Sequence, residues 1–286
     1  MKKNDSLRIL DKRCRRLQKQ KEQLLTGFAA ETNHDFRVEV KKLRAFLRLL
    51  KCAHPQAECL HLPKSLQQLY RFVGDVRSIQ IQRQWVLSVC KELACAVPAG
   101  YMEVLARKEK EAIKRAQEKA QEISLPLIHQ QLQKELPLSW QKNGVETFVR
   151  QKQLQLATLL SAVLISDEVL HDLRKLLKDL LYIWPIIEEE VGNTMIPGLF
   201  SKEACLRLAE KLGNYQDCCV VISLFSTPLL AGLSPGDQCR LSLIKERCCQ
   251  KKEKEKDAIL ITLQLLRNEL TAKLKQTQGV QKVQVG

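Results

Sequence analysis

Aromatic residues make up only 5% of this 286-residue chain, which also holds just 11 glycines and 9 prolines. β-Sandwiches and barrels draw on aromatic strand formers and frequent turn residues, so those folds are excluded. No run of 18 apolar residues occurs, so no segment reads as a membrane-spanning helix. The opening Met1-Lys2-Lys3-Asn4-Asp5 leads into a charged segment and not into an apolar secretory leader. The 11 cysteines are irregularly spaced and contain no Cys-x-x-Cys pair. Reduced thiols in a cytoplasmic protein are the expectation, most of them as small core residues. P-loop, HExxH and GxSxG signatures are also missing.

What the chain has in quantity is positive charge and helix formers. Lys and Arg number 47 against 32 Asp and Glu, giving a net charge of +15, and 45% of residues are apolar. That apolar share supports a buried core and excludes disorder as the main state. Residues 1–143 hold 28 Lys+Arg and 15 Asp+Glu, a balance of +13, whereas residues 144–286 hold 19 and 17, a balance of +2. Such an excess points to a polyanion, an anionic surface or an acidic partner.

Apolar periodicity predicts an all-α protein. Helices are expected over 5–26, from Thr32 to about 53, over 64–73, 76–97 and 101–123, with a short helix inside 124–143. A second series is expected over 145–163, from Ser166-Asp167 to about 190 with Pro185 inside, over 201–212 and 216–226, and from Pro235 to about 275. Thr32 is expected to cap its helix with Asp35 as capping-box partner, and Gly74 and Gly213 are expected to end short helices. Residues 276–286 form a polar tail.

The two series share a motif, which suggests an internal repeat: 5–140 and 141–275. HDFRVEVKKLRAFLRLL begins at His34, and HDLRKLLKDLLYIWPII begins at His171. His34, Asp35, Arg37 and Lys41 match His171, Asp172, Arg174 and Lys178 at a constant offset of 137. On a helix, residues 34, 37, 41, 44 and 48 fall within about 80° of one another. His34, Arg37, Lys41, Arg44 and Arg48 therefore form one basic stripe, beside an apolar stripe of Val40, Leu43, Leu47 and Leu50. His171, Arg174 and Lys178, with Lys175 beside them, form the second. Like charges at i+3 and i+4 repel, and a solvated face would mix signs. An external anion is the natural counter-charge.

With these residues in view, the sequence resembles the CHAD family, the conserved histidine α-helical domain. The first motif carries the resemblance, backed by its copy at His171 and by the segments FVGDVRSIQIQ and KLGNYQDCCVVISLF. It spans roughly residues 5–275. It implies two helical bundles related by a pseudo-twofold axis, with a basic cavity between them that binds inorganic polyphosphate, and association with polyphosphate granules. Carried over position by position, the first wall would be His34, Arg37, Lys41, Arg44 and Arg48, and the second His171, Arg174, Lys175 and Lys178. Arg8, Lys12 and Arg15 on the opening helix, Lys152 on its counterpart, and Arg207 and Lys211 would add to the site. Leu181 and Asp179 stand where the first motif has Arg44 and Lys42, so the second wall is expected to be less basic. No catalytic residue, metal or cofactor is implied.

Three other readings compete. His34-Asp35 and His171-Asp172 are similar to the metal-binding dyad of HD-type phosphohydrolases. Such a site needs further His and Asp, and the remaining histidines (His54, His61 and His129) fall in expected loops or helix ends. A nucleic-acid binder is compatible with the charge but would use more aromatics. A scaffold for an acidic protein is also compatible. Either histidine could instead simply pack near a helix start.

Overall fold

The computed structural model describes residues 3–54, 60–137, 143–162, 164–191, 201–225 and 232–283, with side chains from 4 to 268 except that of Val191. Among the described residues there are nine helices and no strand. They are α1 (Lys3–Thr26), α2 (Ala30–Ala53), α3 (Lys64–Glu92), α4 (Ala99–Glu122), α5 (Leu125–Glu135), α6 (Gly144–Leu160), α7 (Asp167–Val191), α8 (Lys202–Leu224) and α9 (Pro235–Val283). None of the described helices is long and apolar enough to cross a membrane. The expected tail is partly helical, since α9 runs to Val283, and residues 284–286 lie outside the described residues.

Two compact units emerge. The first comprises Met1–Gln141 with Asp217–Lys251, and the second Lys142–Gln216 with Lys252–Gly286. The end of α8 and the start of α9 thus belong to the first unit.

In the first unit, α1 buries Leu10, Leu17 and Leu24, and α2 buries Phe36, Val40, Leu43, Leu47 and Leu50, which confirms the apolar stripe. Ala112, Ala116 and Ala120 recur every fourth residue on α4 and are buried, and these small side chains let α4 pack closely. A further cluster gathers Val86, Val89 and Cys90 of α3, Tyr101 and Leu105 of α4, and Val221, Phe225, Leu241 and Ile244. There Tyr101 stacks on Phe225 with centroids 5.9 Å apart, and its hydroxyl accepts a hydrogen bond from Gln82. In the second unit, α7 buries Leu173, Leu176, Leu177 and Leu180, as its pattern predicts, and packs on α6. Pro185 lies inside α7, which continues to Val191.

Two helix-end expectations are corrected. α2 begins at Ala30, with Ala29 as its N-cap and no side-chain cap. Thr32 and Asp35 thus lie within the helix. The anchoring is done instead by a buried polar knot. Asn33 Nδ2 donates to Gln80 Oε1 (2.9 Å), and Gln80 Nε2 donates to the Phe28 carbonyl (2.8 Å) at the turn before α2. The second correction concerns glycine. Gly74 and Gly213 end no helix, because α3 and α8 run straight through them. Tertiary packing outweighs the roughly 1 kcal/mol by which glycine disfavours a helix interior.

Candidate anion-binding site

Gly74 has a specific neighbour. A Cβ at this position would stand 2.2 Å from Arg37 Nη1. Arg37 reaches across from α2, and Nη1 donates to the Tyr70 carbonyl at 2.7 Å while Nη2 donates to the Tyr70 hydroxyl at 3.3 Å. Its guanidinium carbon lies 4.2 Å from the Tyr70 ring centroid, and that of Arg44, two turns along, lies 4.9 Å from the same centroid. Burial lowers the pKa of Arg37, and the charges of Arg44 and Arg77 add to this, while Tyr70 and Asp75 oppose it. Arginine stays charged through such a shift. Arg37 therefore joins α2 to α3 as well as belonging to the basic stripe.

Beyond Tyr70 the stripe opens into a pocket of about 470 Å3 within the first unit. Arg44, Arg48 and Lys51 of α2 line it, with Arg71 of α3 and His61 of the connecting segment. Leu47, Leu60 and Leu62 supply apolar wall, and among the described residues that line it none is a carboxylate. Lys51 Nζ lies 3.5 Å from His61 Nε2. The sequence reading missed Lys51, His61 and Arg71. Lys51 could have been found, because it extends the stripe at i+3 from Arg48. Arg71 could not, because its place depends on how α3 packs against α2.

The negative charge of α2 is kept on its other side. Glu39 sits about 200° round the helix from Arg37 and is only 3% exposed. Arg13 meets it at 2.9 Å, and Arg16 and Lys42 at 3.9 Å. Glu39 thus draws Arg13, Arg16 and Lys42 to the side of α2 away from the stripe. His34 and Arg48 are exposed, and Lys41 and Arg44 are half-buried. Arg8, Lys12 and Arg15 lie together on the exposed face of α1.

The second-unit candidates divide differently. Arg174 and Lys178 are half-buried neighbours one turn apart on α7. Burial lowers the Lys178 pKa, Arg174 lowers it further, and Glu210 opposes both. His171 Nδ1 lies 2.7 Å from Gln216 Oε1. Lys175 pairs with Asp172 at 3.0 Å, and Lys152 stands 3.9 Å from Asp179. Lys211 donates to Thr262 Oγ1 at 2.9 Å, tying α8 to α9. Arg207 is exposed. Lys152, Lys175 and Lys211 thus already have partners within the protein, and Asp179 is one cause of the less basic character expected here.

Among the described residues no group of three or more His, Cys, Asp or Glu is placed to hold a metal ion. His129 lies inside α5, not at a helix end, and its Nε2 is 2.6 Å from Asp11 Oδ1.

Comparison with known proteins bears on this arrangement. No curated protein sequence gives a significant match. The crystal structure of the CHAD domain from the plant Ricinus communis is similar with a TM-score of 0.65 at 18% identity, covering 92% of this chain and 91% of that one. PptA from Streptomyces chartreusis is similar with a TM-score of 0.63 at 13% identity, covering 92% and 99%. At these identities the two structures establish a shared all-α fold. The family model for the CHAD domain matches residues 8–226, well over half of the chain, and the protein belongs to the CHAD family.

Proposed function

We propose that this protein binds inorganic polyphosphate without transforming it, through the basic face of α2 and the pocket it shares with α3, as a component of polyphosphate granules. The family is associated with polyphosphate in general. The observation that carries the reading for this chain is the pocket itself, where Arg44, Arg48, Lys51 and Arg71 converge and no carboxylate stands among the described lining residues. Polyphosphate is a flexible line of closely spaced charges, so several cations in series release its counterions together. Arg forks take phosphate oxygens two at a time, and Lys51 acts as a point charge. Phosphate is favoured over bases because the pocket's aromatic ring, Tyr70, is already engaged by Arg37 and Arg44. In the second unit, Arg174 and Lys178 are the candidates for further contacts.

The test is titration of the protein with long-chain polyphosphate, with DNA and RNA of matched total charge as competitors. Polyphosphate should bind more tightly than either, with affinity falling steeply as salt rises. Tighter binding of either nucleic acid would overturn the proposal. Metal-dependent release of orthophosphate would overturn the non-enzymatic part of it.

A further inference from the structure

The C-terminal end of α3 carries chemistry unrelated to anion binding. Its last turn closes with two backbone hydrogen bonds that define a Schellman motif. The Cys95 amide donates to the Cys90 carbonyl at 3.0 Å, and the Ala94 amide donates to the Lys91 carbonyl at 3.3 Å. Ala94 takes the left-handed conformation that this motif needs, with φ of 49°. A Schellman motif brings the side chains at the two ends of its longer hydrogen bond into contact, usually as an apolar pair. Here both positions are cysteine. Cys95 packs against the buried cluster that contains Cys90, and the Cys90 thiol points toward the same segment, donating to the Ala96 carbonyl at 3.9 Å. Both are free thiols, with Cys90 buried and Cys95 partly accessible.

We propose that Cys90 and Cys95 are a built-in dithiol that a small-molecule disulfide converts to an intramolecular disulfide in the folded protein. The order of events follows from accessibility and acidity. Burial, followed by the neighbouring Cys95, pushes the Cys90 thiol up to about 11, and the charge of Arg240 opposes this. Cys95 is therefore the sulfur that meets an external reagent first. Its thiol loses a proton, the thiolate attacks one sulfur of the reagent, and the reagent's S–S bond breaks to release one thiol. The mixed disulfide on Cys95 then lies against Cys90. Cys90 loses its proton and attacks the Cys95 sulfur, and the second half of the reagent leaves as a thiol. Two protein thiols are oxidised to one disulfide, and one external disulfide is reduced to two thiols. The enforced contact offsets the weak acidity of Cys90, because its step is intramolecular.

Trypsin provides the readout. Cleavage after Arg83, Lys91 and Arg107 places Cys90 in peptide 84–91 and Cys95 in peptide 92–107. The full-length native protein is incubated with oxidised glutathione, its remaining thiols are alkylated, and it is digested without reductant. The expected product is the two peptides joined by a disulfide and separated by dithiothreitol. In Cys90→Ser, Cys95 should instead accumulate as the glutathione mixed disulfide, while in Cys95→Ser position 90 should remain a free thiol. Modification at the exposed Cys239 with Cys90 and Cys95 both alkylated would overturn the proposal. So would a linked pair that forms only in urea.

Discussion

Replacing Gly74 with alanine tests the idea that this glycine is present to admit Arg37. By helix propensity alone the change should stabilise α3 by about 1 kcal/mol. The new Cβ, however, would lie 2.2 Å from Arg37 Nη1, against an ordinary contact of 3.4 Å or more. The guanidinium must move by over an ångström, which breaks its 2.7 Å hydrogen bond to the Tyr70 carbonyl and its seat on the ring. The charged hydrogen bond contributes about 1.5–3 kcal/mol and the cation–π contact about 0.5–1 kcal/mol. The expected net result is a destabilisation of about 1–3 kcal/mol.

The decisive measurement repeats the substitution in an Arg37→Ala background. With the guanidinium gone no other atom stands closer than 3.4 Å to the new Cβ, and Gly74→Ala should now stabilise by about 1 kcal/mol. The sign of one substitution thus reverses with the state of another residue. Urea midpoints at constant m-value for the four proteins of the cycle report it directly. Gly213 is the internal control, since nothing lies within 4 Å of a Cβ built there. Gly213→Ala should stabilise the unaltered protein by about 1 kcal/mol. If Gly74→Ala gives the same sign and size in both backgrounds, the glycine does not serve Arg37.

Other perturbations probe different parts of the molecule. Glu39→Gln leaves Arg13, itself only 16% exposed, without its counter-charge, and should cost about 3 kcal/mol in a denaturation experiment. In the pocket, Arg44→Glu with Arg48→Glu and Arg71→Glu should reduce polyphosphate affinity and lower the slope of log K against log salt by about 2, whereas Lys175→Ala, already paired with Asp172, should change neither. The Asp167 carboxyl is held well below the usual carboxylate range by hydrogen bonds from Lys252, Tyr215 and Lys256. Its contribution to stability is therefore complete above its ordinary pKa of 3.8 and is lost as pH falls through the lowered folded value. Asp167→Asn should flatten the acid limb of a stability-against-pH curve, and an unchanged limb would show that the carboxylate is not held in this way.

The parts of the site that the sequence made legible are those set by a single helix. Val40, Leu43, Leu47 and Leu50 are all buried, so the residues beside them had to face outward, and the stripe from Arg37 to Arg48 follows from 3.6-residue periodicity. Whatever depends on a second helix was hidden. Gly74 looks like a helix end to any reading of local propensity, because its reason lies 37 residues earlier in Arg37. Glu39 looks like one more charge on a mixed segment, yet its burial takes up Arg13, Arg16 and Lys42. The same holds for Lys152, Lys175 and Lys211, whose partners are specific polar groups and not solvent. A net charge of +15 therefore overstates what a polyanion can use. The relevant quantity is how many cations packing gathers in one place, against how many it pairs with acids elsewhere. By that measure the face from Arg44 to Lys51, joined by Arg71, has the advantage over the α7 face. There the Glu210 charge acts on Lys178, against the effect of its burial, and Asp172 and Asp179 offset Lys175 and Lys152. If the protein binds a polyanion, the first unit should supply most of the affinity, and charge reversals on α7 should weaken binding less than equal reversals on α2.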